Sequence, residues 1–224
     1  MDTLIKICGL TTPRALGAAL DEGADFVGFV FFPPSPRHVP LDLASDLGAQ
    51  VKGRSQKVAL SVDADDATHD AIVKALCPDM LQLHGHESLE RIAALKARFG
   101  LPVVKAIPVE TAADLAAVDS YAAIADWLLF DARPPRDANR PGGLGKPFDW
   151  TLLNQLDPGL PFMLSGGLEP GNVGQALAIT KAPGVDVSSG VESQPGAKDP
   201  AKIAAFIRAV RAADAARTEG ASSL

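Results

Sequence analysis

Two hydrophobic patterns alternate along the chain. Short runs that are apolar at nearly every position are followed by longer stretches in which apolar residues recur every three or four places. The first kind suits strands buried on both faces, and the second suits helices with one covered side. The short runs are Leu4 to Cys8, Phe26 to Phe32, Lys57 to Val62, Met80 to His84, Pro102 to Pro108, Trp127 to Asp131, Pro161 to Ser165 and Gly184 to Ser188. Start and stop signals frame several of the helices between them. Thr12-Pro13 pairs a cap residue with proline at the first helical position, and Gly23 follows Glu22 as a natural stop. Ser88 opens a helix with Ile92, Leu95 and Phe99 on one face, and Gly100 closes it. Asp199-Pro200 opens the last, whose apolar stripe is Ile203, Phe206, Ile207 and Val210.

Eight β-then-α units predict a parallel sheet with right-handed crossovers. Eight such units favour an α/β fold closed into a single (β/α)8 (TIM) barrel over an open doubly wound sheet. Spread over eight units, 224 residues leave 28 for each, with little left for a second domain. The expectation is one barrel domain over residues 1–214. Residues 215–224 are small and polar and are expected to form a flexible tail.

Composition narrows the class of partner. Hydrophobic residues make up 47% and the formal charge is −6, which gives no basic footprint for nucleic acid. No run approaches 18 apolar residues, and Met1 to Lys6 lacks the pattern of a signal peptide, so no membrane partner is expected. Two cysteines, Cys8 and Cys77, cannot build a disulfide framework or a cysteine-rich zinc site. A reducing cytoplasmic setting is the expectation. Monomer and homodimer both remain open.

A barrel of this kind builds its active site from the C-terminal ends of its strands and the loops that follow. Those positions hold Cys8, Arg37, His84, Asp131, Ser165-Gly166-Gly167 and Ser188-Ser189-Gly190. Glycine lets backbone N–H groups approach a phosphate closely, and the loops after strands seven and eight are the usual phosphate site of the fold. Tight turning alone is the other reading of these glycines. Cys8 is either a small buried hydrophobe or, with thiolate character and a pKa below the ordinary value of about 8.5, a chemical group. Cys77, before Pro78, reads as structural. Asp131 closes an apolar run and is either a loop residue or a catalytic acid raised by desolvation. Arg37, in a proline-stiffened loop, could fork onto a carboxylate or be an ordinary surface arginine. His84 and His86 lack the company of a metal site, so no metal is expected. Gly142-Gly143-Leu144-Gly145 fits neither a P-loop nor a dinucleotide fingerprint, and reads as a mobile flap or a plain loop.

At these residues the sequence resembles the phosphoribosylanthranilate isomerases of tryptophan biosynthesis over roughly residues 4 to 212. The most specific stretches are Lys6-Ile7-Cys8-Gly9-Leu10-Thr11, Leu81-Gln82-Leu83-His84-Gly85 and Asp186-Val187-Ser188-Ser189-Gly190-Val191-Glu192. Ser165-Gly166-Gly167-Leu168 with Asn172, and Gly142-Gly143 with Phe148-Asp149-Trp150, support them. The resemblance implies an Amadori rearrangement of a phosphosugar substrate without any cofactor. It implies Asp131 as general acid and Cys8 as general base, with Arg37 on the anthranilate carboxylate. The Ser165-Gly166-Gly167 and Ser188-Ser189-Gly190 loops would hold the phosphate. Asp186 would contact a sugar hydroxyl or pair with Lys6. His84 would contact substrate or support the site.

The match has departures. Ser35-Pro36 and His38 flank Arg37 where the family often has a basic and an aromatic residue. Leu144 replaces a small hydroxyl residue, and His86 stands where an acid is common. The nearest rival is the related isomerase of histidine biosynthesis, which works with two aspartates; Cys8 argues against it. A non-catalytic phosphate-ligand sensor on the same barrel is the rival of another class.

Overall fold

The computed structural model describes residues 2–133, 147–154 and 156–221, with side chains through 218. Eight parallel strands close into a barrel in sequence order: β1 (Leu4–Cys8), β2 (Phe26–Phe31), β3 (Gln56–Ser61), β4 (Met80–Leu83), β5 (Val103–Val109), β6 (Trp127–Ala132), β7 (Phe162–Leu164) and β8 (Gly184–Val187). Closure is made by β1 against β8, with Leu4 opposite Gly184 and Lys6 opposite Asp186. Each strand lies within about a residue or two of its apolar run, as a period-two pattern buried on both faces requires.

Residues two apart share a face, so each strand sends alternate side chains inward. Phe26, Val58, Met80, Val104, Leu129 and Met163 fill the lower barrel. Cys8, Val30 and Leu60, with Phe32 and Val62 against them, form a separate apolar cluster at the C-terminal mouth. The opposite faces of the strands join the helices in the main core, where Ile5, Ile7, Phe29 and Phe130 are buried beside Leu16, Leu47 and Phe206.

The helices are α1 (Pro13–Asp21), α2 (Leu41–Val51), α3 (Asp66–Leu76), α4 (Leu89–Phe99), α5 (Val118–Ala122), α6 (Val173–Thr180) and α7 (Pro200–Ala221). The expected signals act as caps. The Thr12 side chain accepts from the Ala15 N–H at 3.3 Å, and Ser88 accepts from the Arg91 N–H at 3.2 Å. Gly23 and Gly100 take φ of +82° and +64°, which suits residues without a Cβ. Cys77 is exposed and caps α3 in the left-handed region.

Seven of the eight anticipated helical units hold an α-helix among the described residues. Among the described residues the crossover after β6 holds only a 3-10 turn, Trp150–Leu153. Asp149 draws in the Thr151 N–H, and Pro158, Gly159 and Pro161 follow too soon for a longer helix. The glycine loop at 142–145, with Leu144, lies outside the described residues. At the other end, α7 continues past residue 214 to Ala221. Asp214 accepts from the Thr3 N–H at 2.9 Å and its hydroxyl at 2.7 Å, which ties this helix to the start of β1. Among the described residues no helix is long and apolar enough to cross a membrane.

Candidate active site

The C-terminal mouth gathers the side chains that the strand phases point inward. On β1, Lys6 and Cys8 are two apart and face the interior. Lys6 is fully buried, and its Nζ donates to Asp186 Oδ1 at 2.9 Å. It also hydrogen-bonds the Cys8 thiol, and with Asp186 it draws the Lys6 pKa upward against the cost of burial. Across the ladder Gly28 pairs with Cys8. A Cβ on Gly28 would lie 3.0 Å from Cys8 Sγ and 3.1 Å from Lys6 Nζ, so glycine leaves the room in which the two meet. The sequence allowed Asp186 either a sugar contact or a pair with Lys6; in this structure the pair is formed, and the Ser165 hydroxyl donates to its other oxygen at 3.4 Å.

The Cys8 thiol does not have the lowered pKa that a chemical role for it would call for. Burial pushes the thiol up, Lys6 pulls it back, and the Asp186 carboxylate pushes it up again. Desolvation of a thiolate at the mouth of an apolar barrel outweighs one shared ammonium.

Asp131, one residue before the end of β6, is 6% exposed. Its Oδ1 accepts the Ala132 N–H at 2.9 Å, and its Oδ2 lies 3.2 Å from His84 Nε2. Gln82, fully buried and two residues before His84, places its Nε2 3.0 Å from His84 Nδ1. Gln82 thus holds one ring nitrogen of His84, and the other faces Asp131. His84 therefore sits at the site, between Gln82 and Asp131. His86 does not: its side chain is exposed and bonded to Asp63 on the outer rim.

The loops after β7 and β8 lie against each other. Gly166 and Gly167 both take positive φ, and a Cβ on Gly166 would stand 2.5 Å from the Ala132 backbone nitrogen. Asn172 fixes the turn by donating to the Gly167 carbonyl at 2.9 Å. Ser188 donates to the Cys8 carbonyl at 3.2 Å, and Ser189–Val191 forms a 3-10 turn. Gly190 meets the Leu168 backbone so closely that no side chain fits.

Arg37 is not a surface arginine. It is 4% exposed, and its Nε and Nη2 donate to Glu192 Oε1 and Oε2 at 2.7 and 2.9 Å. Glu192 begins a hairpin of β9 (Glu192–Gln194) and β10 (Ala197–Lys198), an addition to the barrel plan. Lys198 Nζ donates to Glu192 Oε1 at 2.6 Å, to the Ser188 carbonyl at 2.9 Å and to Ser188 Oγ at 3.1 Å. Burial pushes Glu192 up, but the Arg37 fork and Lys198 outweigh it and hold the carboxyl below its ordinary range.

Sequence reasoning missed Gln82, Glu192 and Lys198 as members of this site. Gln82 could have been found from the strand phase it shares with His84. Glu192 and Lys198 carry no periodic signal, because a hairpin outside the barrel brings them in. Among the described residues no group of three histidine, cysteine or acidic side chains is placed to hold a metal ion.

Known proteins resemble this chain along nearly its whole length. The family model of N-(5'-phosphoribosyl)anthranilate isomerase matches residues 5–209. An N-(5'-phosphoribosyl)anthranilate isomerase of Nitrobacter hamburgensis is 64% identical over 214 residues, covering 96% of this chain and 95% of the relative. The crystal structure of the phosphoribosyl anthranilate isomerase of Thermotoga maritima superposes with a TM-score of 0.85 at 32% identity, covering 94% of this chain and 99% of that one. A phosphoribosyl anthranilate isomerase structure in complex with reduced 1-(o-carboxyphenylamino)-1-deoxyribulose 5-phosphate gives a TM-score of 0.80 at 29% identity, covering 94% and 99%. A barrel with this mouth, matched along nearly its whole length, belongs to the N-(5'-phosphoribosyl)anthranilate isomerase family of tryptophan biosynthesis.

Proposed function

We propose that Asp131 and Cys8 are the acid and base with which the chain isomerises N-(5-phosphoribosyl)anthranilate to 1-(2-carboxyphenylamino)-1-deoxyribulose 5-phosphate. The observation that carries this reading is their placement. Each lies at or beside the C-terminal end of a barrel strand on the inward face, with a hydrogen-bonding partner of its own: His84 for Asp131 and Lys6 for Cys8.

The chemistry needs two proton transfers. A carboxylic acid at Asp131 gives its proton to the ring oxygen, the furanose opens, and a protonated Schiff base forms at C1. That cation acidifies the C2 proton. The Cys8 thiolate takes it, the electron pair moves into a C1–C2 double bond, and the enolamine tautomerises to the ketone. Each placed acid or base contributes about 10²–10⁴-fold. The Lys6 ammonium favours the thiolate form of Cys8, and His84, held by Gln82, positions the Asp131 carboxyl.

The substrate's other parts have matching surroundings. Val30, Leu60, Phe32 and Val62 beside Cys8 suit the benzene ring, and Arg37 at the same rim suits its carboxylate. The paired glycine loops, whose backbones approach without side chains between them, suit the phosphate. A reducing cytoplasm suits a base that has to stay a free thiol, as Cys8 does here.

Turnover of freshly generated phosphoribosylanthranilate, followed by the loss of its fluorescence, tests the roles. Cys8→Ser and Asp131→Asn are expected to lose about 10²-fold or more in kcat while retaining phosphate-ligand binding. Arg37→Ala is expected to raise KM. Wild-type turnover in either of the first two variants removes that residue's role, and an unchanged KM removes the clamp.

A further inference from the structure

We propose that Lys198 is a positioning residue for substrate recognition: by sharing Glu192 with Arg37, it keeps that carboxylate from neutralising the arginine, which then remains attractive to the carboxylate of the substrate. The inference rests on the reading of Arg37 as the anthranilate clamp.

Three observations carry it. First, the contacts converge. Glu192 Oε1 accepts from both Arg37 Nε at 2.7 Å and Lys198 Nζ at 2.6 Å, so one oxygen is divided between two cations. A carboxylate paired with arginine alone would cancel its charge at the distances where charge matters. Second, the hairpin is built onto the Arg37 loop. A Cβ on Gly196, at the hairpin turn, would lie 2.4 Å from the Pro36 carbonyl, and Glu192 and Lys198 are cross-strand partners in β9 and β10. The addition thus delivers Lys198 to Glu192 directly beneath the arginine-bearing loop. Third, keeping this charge is costly. The Lys198 side chain has no exposed surface, and burial pushes its pKa down to about 8 in spite of Glu192. An apolar side chain would pin the hairpin without that penalty, so anchoring alone does not account for an ammonium here.

Lys198 also donates to the carbonyl and hydroxyl of Ser188, in the loop assigned to the phosphate. The same ammonium therefore ties the Ser188 loop to the Arg37–Glu192 pair. All of these contacts are with protein atoms, so its effect on the ring carboxylate passes through Glu192.

The test compares two probes by titration calorimetry: the reduced product 1-(2-carboxyphenylamino)-1-deoxyribulose 5-phosphate, and the same compound without the ring carboxylate. Wild type is expected to prefer the first. Lys198→Met should weaken the first about 10- to 100-fold, the scale of a charge-assisted contact, and leave the second within about 2-fold. Lys198→Arg should keep most of the preference. The decisive variant is Lys198→Met combined with Glu192→Gln. With the carboxylate charge gone, lysine is no longer needed, and the preference should return. Equal weakening of both probes, or no return in the double variant, would show that Lys198 only anchors the hairpin. A preference that survives Lys198→Met would also overturn the proposal. Absence of any preference in wild type would instead overturn the Arg37 clamp, and this inference with it.

Discussion

Gly190→Ala isolates the contact between the two loops assigned to the phosphate. A Cβ at residue 190 would lie 1.9 Å from the Leu168 carbonyl oxygen, 2.9 Å from its carbon and 3.1 Å from Glu169 Cα. All three are backbone atoms, so no side chain can swing away. Real Cβ atoms essentially never come closer than 3.0 Å, and 3.0 − 1.9 requires the loops to part by about 1.1 Å. The β7 side has little room to retreat, because Gly166 packs on Ala132 and Asn172 ties down Gly167. The opening therefore falls on the Ser188–Gly190 side, and the two halves of the cradle separate by about the distance that costs roughly 10²-fold in positioning. Overpacking of this kind costs about 1–3 kcal/mol. At about 2–4 °C per kcal/mol for a chain of this size, Tm should fall by roughly 2–12 °C. Steady-state kinetics should show KM for phosphoribosylanthranilate raised about 10- to 100-fold, with inorganic phosphate losing most of its competition and kcat falling less. An alanine variant with unchanged KM and unchanged phosphate inhibition would refute a shared backbone cradle.

Two further predictions concern protonation. Asp186→Asn removes one of the influences that push the Cys8 thiol up, after burial itself, and leaves Lys6 to the thiol. The acidic limb of the kcat/KM profile, where the base loses its proton, should move to lower pH; a limb that stays or moves up contradicts Cys8 as that base. Lys198 has a folded pKa of about 8 against 10.5 unfolded, so between these values the unfolded chain holds the extra proton and stability rises with pH. Urea unfolding of wild type and Lys198→Met should therefore show wild type gaining about 3 kcal/mol on the variant from pH 7 to 11. A constant difference across that range would mean that Lys198 is not buried as a charge.

The sequence was most informative where one periodicity governed the outcome. Each strand lay close to its apolar run, because residues covered on both faces have no polar alternative. Cys8, His84, Asp131, Ser165 and Ser188 fell near strand ends, and counting back two from Cys8, His84 and Ser188 puts Lys6, Gln82 and Asp186 on the same inward side. Among the described residues of the β6 crossover, local chemistry, an aspartate cap followed by two prolines and a glycine, leaves a 3-10 turn where alternation alone would supply a helix.

What the sequence determined by itself was the order of eight strands, the end of the barrel where chemistry sits, and the residue types gathered there. Those follow from backbone geometry and from hydrophobic spacing, both local. Only the tertiary structure decided which charges share a partner. Arg37 and Glu192 are 155 residues apart in the chain and Lys6 and Asp186 are 180 apart. Pairing at such distances is set by barrel closure and by a hairpin laid on a neighbouring loop. The protonation of Cys8 and Lys198 belongs to the same class, since it depends on how much water the closed barrel removes from each.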